Sequence, residues 1–180
     1  MYLLQFDGSF RDMAEYGGHL HHAGFMSYGW LISKNGKLVA RGMGVFACAE
    51  YANANIAEYI ALIEGLDALF DMGVRDRAIE IRGDAKSVID QMENAAHVSS
   101  APTLKLYRRA RELSLQFERL SWRWVPRENN RAADSLTRQA IRRMHNSDYY
   151  QNFLGKLNTG SSGSGELLSM LDLRVFQPAW

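Results

Sequence analysis

The spacing of apolar and polar residues predicts a sheet-forming first third, followed by strands and helices in alternation. Residues 2–6 are a short apolar run that meets Asp7-Gly8-Ser9, which predicts a buried strand ending where a carboxylate begins. Residues 10–24 show no period and carry Gly17, Gly18, His19, His21, His22 and Gly24, the composition of a long surface loop. Alternation resumes over 28–33. Asn35-Gly36 is a strong hairpin signal before return strands over 37–48, in which Gly42 and Gly44 suggest bulges or close packing.

A helix comes next: Ile56, Tyr59, Ile60, Ile63, Leu66, Leu69 and Phe70 recur at helical spacing, and Gly73 supplies the stop. A strand over 78–82 ends at Gly83-Asp84. Helical patterns cover 85–94 and 103–117, the second with Pro102 near its first turn. A strand over 120–125 is closed by Pro126, and the last strong helix covers 131–144. This order implies an α/β fold: one mixed five-stranded sheet flanked by helices. Trp122 and Trp124 share a face of the last strand and are expected in the core. Residues 1–146 read as one domain and 147–180 as a C-terminal extension. The extension holds a Gly/Ser linker over 159–165 and an apolar tail that packs back on the domain or meets a protein partner.

Composition narrows the class. With 180 residues, 47% hydrophobic and 23% charged, the chain suits one globular domain. Lys and Arg total 21 against 20 Asp and Glu, a net charge of +1, so any surface for a polyanion must be local. The single cysteine, Cys48, excludes an internal disulfide and a multi-cysteine metal site, and suits a reducing compartment. No start resembles a signal peptide, and no apolar run approaches the ~20 residues of a membrane helix. A soluble cytoplasmic monomer with no membrane contact is expected.

The chemistry-bearing residues are four scattered carboxylates. Asp7 and Asp84 stand at or just after predicted strand ends, and Glu58 lies in the first turns of the long helix with Ala54 and Ala61 giving room nearby. Asp134 falls in the first turn of the last helix, where the helix dipole favours an anion by roughly 0.3–1 kcal/mol. Singly they read as turn residues, caps or a solvated position. Together, at one edge of a mixed sheet, they repel one another unless cations neutralise them. Hard oxygen ligands suit Mg²⁺ or Mn²⁺, and paired ions of that kind can hydrolyse a phosphodiester.

Phe6-Asp7-Gly8-Ser9, Asn55-Ile56-Ala57-Glu58-Tyr59, Arg82-Gly83-Asp84-Ala85-Lys86-Ser87-Val88 and Trp124-Val125-Pro126-Arg127-Glu128-Asn129-Asn130-Arg131-Ala132-Ala133-Asp134 resemble, in order, the four motifs of type 1 ribonucleases H. The resemblance covers residues 1–145 and implies a ribonuclease H-like fold. It implies an endonuclease with two Mg²⁺ ions, replaceable by Mn²⁺, held by Asp7, Glu58, Asp84 and Asp134. Asp7 would bridge the ions, Asp134 would serve the ion activating water, and Glu58 and Asp84 the ion at the leaving oxygen. The substrate would be the RNA strand of an RNA–DNA hybrid, cut to 5′-phosphate and 3′-hydroxyl ends and recognised through 2′-hydroxyls. Gly8, Ser9, Asn53, Asn55 and Arg127 would contact it.

Some members carry a histidine in the loop before the last aspartate; here Pro126-Arg127-Glu128 stands there, as in a subgroup of the family. Ala85 and Ala54 occupy places often polar in the family. The histidines of the 10–24 loop read as part of a substrate-side loop rather than a zinc site. Arg108, Arg109 and Arg111, like Arg138, Arg142 and Arg143, read as solvated helix faces rather than phosphate-tracking patches. Competing readings are an inactive nucleic-acid-binding module of the same fold, or another member of the wider superfamily.

Overall fold

In the computed structural model, which describes residues 1–12, 24–48, 52–147 and 175–178, the elements follow the expected order. They are β1 (Tyr2–Asp12), β2 (Gly24–Lys34), β3 (Lys37–Cys48), α1 (Ala54–Asp71), β4 (Ala78–Gly83), α2 (Lys86–Met92), α3 (Ala101–Ser114), β5 (Arg119–Trp124), α4 (Arg131–His145) and β6 (Val175–Pro178). The sheet order is β5-β4-β1-β2-β3-β6. β1 pairs antiparallel with β2 and parallel with β4, and β4 pairs parallel with β5. The five expected strands form the mixed sheet. A short sixth, from the C-terminal extension, lies antiparallel to β3 over Ala40–Met43. The 159–165 linker and the histidines of the 10–24 loop fall outside the described residues.

The hairpin signal acts as read: Asn35 has φ 51° and Gly36 φ 80°, the pair of positive values that a two-residue turn between twisted strands requires. The β2–β3 irregularity sits at Ile32/Ser33 rather than at Gly42 or Gly44, which instead lie against the Trp30 and Tyr28 rings. Helix α1 stops where Gly73 adopts φ 69°. Its N–H bonds Phe70 O and the Val74 N–H bonds Leu69 O, a Schellman closure.

Two predictions about β1 and β5 need correction. The first strand does not end at Asp7; it continues through Asp12, because β2 supplies a partner along its whole length. Only the parallel partner stops early: β4 pairs with β1 from Tyr2 to Gln5. Asp7 therefore lies mid-strand, beside the point where its other neighbour has ended. The strand β5 is an edge strand, not a central one. Trp122 is half-buried against the core, whereas Trp124 is 46% exposed and donates its indole N–H to Asp84 O at 3.0 Å.

The main core lies between the sheet and α1, α2 and α3, around Leu4, Phe6, Ile32, Tyr59, Leu62, Leu66, Leu69 and Ile81, all fully buried. α4 packs on β1, β2 and β3. At Gly29 a side chain would collide with Leu136 and the Ala133 carbonyl, so helix and strand approach backbone to backbone there. Among the described residues no helix is long and apolar enough to cross a membrane.

Candidate active site

Three of the four acids converge. One carboxylate oxygen from each of Asp7, Glu58 and Asp84 lies within 4.8 Å of the others. Asp7 is held by β1, Asp84 by the turn after β4, and Glu58 by the second turn of α1. The approach of α1 to β1 depends on Gly8. A Cβ there would stand 2.2 Å from Ala57 C and Glu58 N, so any larger residue pushes the helix, and Glu58 with it, off the strand.

Burial and mutual repulsion leave Asp7 and Glu58 poorly suited to bare ionisation. Asp7 is 4% exposed and its pKa is pushed up to about 6, first by loss of water and then by Asp84 and Asp134; the Thr137 hydroxyl and Arg127 pull it down. Glu58, 8% exposed, is raised well above the usual carboxylate range by burial, then by Asp7 and Asp84, with the Gly8 N–H and Arg127 opposing. Its Oε2 is buried with no hydrogen-bond partner. An orphaned buried oxygen facing two further carboxylates is the environment a divalent cation relieves, and an all-oxygen donor set fits Mg²⁺ or Mn²⁺.

Asp134 stands differently. It lies in the first turn of α4, is 8% exposed, and is not within the 4.8 Å group. Two guanidinium groups hold its carboxylate: Arg127 Nη2 donates to Oδ1 at 2.9 Å and Arg138 Nη2 lies 2.6 Å from Oδ2. A small cavity of about 50 Å³ beside it is lined by Asp7, Ser9, Arg11, Arg127, Arg138 and neighbours, and so links the fourth acid to the first.

A family model described as Reverse transcriptase-like matches residues 15–140, well over half of the chain. RNase H1 from the halophilic archaeon Halobacterium salinarum is 34% identical, with a TM-score of 0.66 over 78% of this chain and 96% of that one. The chain belongs to the type 1 ribonuclease H family. The N-terminal RNase H domain of Rv2228c from Mycobacterium tuberculosis agrees, at 30% identity, TM-score 0.64 and coverage of 78% and 92%. LC11-RNase H1, solved in complex with an RNA/DNA hybrid, shares the fold at TM-score 0.67 and 23% identity, over 79% of this chain and 98% of that one. The chain spans 55% of the length of the curated ribonuclease HI of H. salinarum, and 24% of the bifunctional protein Rv2228c.

Within this type 1 ribonuclease H scaffold the predicted substrate contacts divide. The Gly8 N–H is turned to the Glu58 carboxylate. Ser9 lines the small cavity beside Asp134. Arg127 is exposed but engaged with Asp134. Asn55 is half-buried and its Oδ1 accepts from Ser87 Oγ at 3.1 Å. Asn53 caps α1: its Oδ1 accepts from Ile56 N at 3.0 Å. The Arg108–Arg111 patch is drawn into the helix packing, since Arg109 pairs with Asp67 at 3.1 Å and Arg111 donates to Met92 O at 3.0 Å.

Sequence reasoning missed two polar residues behind the acids. Asn130, with no exposed surface, donates from Nδ2 to Phe6 O at 2.8 Å and to Asp84 Oδ1 at 2.6 Å. Thr137, 1% exposed, donates toward Asp7 O at 3.3 Å and Ala133 O at 3.1 Å. A signal was present. Asn130, Asp134 and Thr137 follow i, i+4, i+7 spacing, which puts them on the face that Ala133, Leu136, Ala140 and Ile141 mark as buried.

Proposed function

We propose that this protein is an endonuclease that hydrolyses the RNA strand of RNA–DNA hybrids with two Mg²⁺ ions, Mn²⁺ substituting. The observation that carries the reading is the convergence of Asp7, Glu58 and Asp84 within 4.8 Å on a type 1 ribonuclease H scaffold. Asp7, Glu58, Asp84 and Asp134 would be the metal ligands. Such ions would supply Lewis-acid activation of a water and charge neutralisation at the leaving 3′ oxygen, and hydrolysis of the P–O3′ bond, with a water proton passing to that oxygen, would leave 5′-phosphate and 3′-hydroxyl ends.

The chain's own residues prepare that chemistry. Burial of Asp7 and Glu58 excludes competing water, and Glu58 Oε2 is left without a hydrogen-bond partner, whose place a cation would take. Asn130 fixes the rotamer of Asp84 against the β1 backbone. Arg127 at the mouth can turn from Asp134 to a substrate phosphate, as a permanent cation but not as a proton carrier. Asn55, in the first turn of α1, would meet a 2′-hydroxyl, the group that separates RNA from DNA. We assign catalysis to residues 1–146 and regard 147–180 as an accessory extension whose last strand docks on β3.

The test offers purified protein and Mg²⁺ or Mn²⁺ to labelled RNA–DNA hybrid, double-stranded RNA, single-stranded RNA and double-stranded DNA. Internal cuts confined to the RNA of the hybrid are expected. Binding without cleavage under both metals selects the inactive-module reading instead, and cleavage of DNA overturns the substrate assignment.

A further inference from the structure

The whole chain carries a net charge of +1, yet α4 alone holds four arginines, Arg131, Arg138, Arg142 and Arg143, against one aspartate, Asp134. α3 carries as many cations, but its Arg109 and Arg111 are engaged with Asp67 and Met92 O, whereas α4 is the helix whose first turn presents the fourth acid. All four arginines are exposed. At about 100° per residue, Arg131, Arg138 and Arg142 fall within roughly 40° of one another around the helix. Arg143 lies about 180° away from the Asp134 side. One stripe of three thus runs along the flank nearest the acids, and the fourth arginine stands outside it.

The stripe joins the site physically. Arg138 is 2.6 Å from the Asp134 carboxylate, and Arg127, in the turn before α4, is 2.9 Å from it. Arg131 and Arg142 form no ion pair with a carboxylate among the described residues, unlike Arg127 and Arg138. From Arg131 to Arg142 the helix rises roughly 16 Å, about the axial length of five phosphates of one duplex strand at ~3.4 Å each. Arg138 and Arg142, expected on a solvated helix face, thus join Arg131 in a cationic track beside the carboxylates.

We infer that the Arg131–Arg138–Arg142 flank of α4 is a phosphate-tracking surface that seats the backbone of a nucleic-acid duplex beside the acid cluster. The inference rests on the nuclease reading given above and adds where the duplex lies. Contacts of this kind read charge and not sugar, so the surface contributes equally to hybrid and DNA duplex affinity and none of the discrimination between them.

Anisotropy titrations of the Asp7→Asn protein with labelled hybrid and with DNA duplex, over a series of KCl concentrations, test it. Each phosphate contact contributes a slope of about −0.9 in log K against log salt. The Arg131→Ala/Arg142→Ala pair is expected to flatten the slope by roughly 1–2 for both duplexes, and Arg131→Lys/Arg142→Lys to restore most of it. Arg143→Ala should leave it unchanged. An unaltered slope in the alanine pair, or an equal loss in Arg143→Ala, overturns the track. Failure of the nuclease reading looks different: wild-type protein then leaves the hybrid uncut under both Mg²⁺ and Mn²⁺, whatever the salt slopes of the variants.

Discussion

Asn130, wholly buried, donates an amide hydrogen bond of 2.6 Å to Asp84 Oδ1, tying the acid after β4 to the residue that opens α4. The same nitrogen reaches Phe6 O at 2.8 Å, one residue before Asp7. A single side chain therefore sets the distance between two acids 77 residues apart in the sequence. Its Oδ1 has no partner, a cost accepted where the donor is fully used.

Removing that side chain should affect both stability and catalysis. Asn130→Ala leaves Phe6 O without its donor and frees Asp84, so a loss of about 1–3 kcal/mol is expected from urea unfolding. Hybrid cleavage should fall by about 10–100-fold, the usual effect of losing a group that orients a metal ligand. Stability lost with kcat intact would assign Asn130 to folding alone.

Asp7→Asn should abolish most activity while strengthening the metal-free fold. Cleavage is expected to drop at least a hundredfold, because a bound ion supplies several kcal/mol and each ~1.4 kcal/mol is tenfold. The Tm of the metal-free protein at pH 8 should instead rise, since a buried charge facing Glu58 and Asp84 is gone. Full activity in the variant would remove Asp7 from the site.

Stability of the metal-free protein should fall as pH rises. Asp7 has a folded pKa near 6 against the ordinary 3.8, so between these values the folded state holds more protons than the unfolded one. Its penalty is absent below about pH 4, grows through pH 6, and reaches roughly 3 kcal/mol above that at about 1.4 kcal/mol per unit. Glu58, shifted in the same direction, extends the decline further upward. Thermal melts from pH 4 to 8 in EDTA should show the decline, and saturating Mg²⁺ should remove most of it. A metal-free Tm that climbs over this range contradicts the site's electrostatics.

Gly8→Ala should be costly despite its size. The added methyl meets Ala57 C and Glu58 N at 2.2 Å, backbone atoms that cannot rotate aside. Overpacking of this kind costs about 1–3 kcal/mol and, by shifting Glu58, should lower Mg²⁺ affinity in calorimetric titrations. A variant with wild-type stability and metal affinity would show that α1 does not rest on β1 as described.

Deleting residues 165–180 removes β6 and exposes β3 over Ala40–Met43. A modest drop in Tm with unchanged kcat is expected, because the acids belong to other elements. A large loss of kcat would bring the extension into the catalytic unit.

The sequence by itself determined the element order, because hydrophobic period, Asn35-Gly36, Gly73 and Pro126 act through local backbone preferences that need no partner. It also made the four acids legible, through the short motifs around them. Tertiary structure alone decided that β1 runs past Asp7, since strand length depends on the neighbour that continues the ladder. It left Trp124 at a sheet edge, where period-two patterning cannot tell edge from centre. Only packing could bury Asn130 against Phe6 O and Asp84, whereas the Asn53 cap and the Arg138–Asp134 pair are local contacts within one helical turn. Which polar groups meet depends on elements brought together from distant segments, and burial, not residue type, then fixes how strongly they interact.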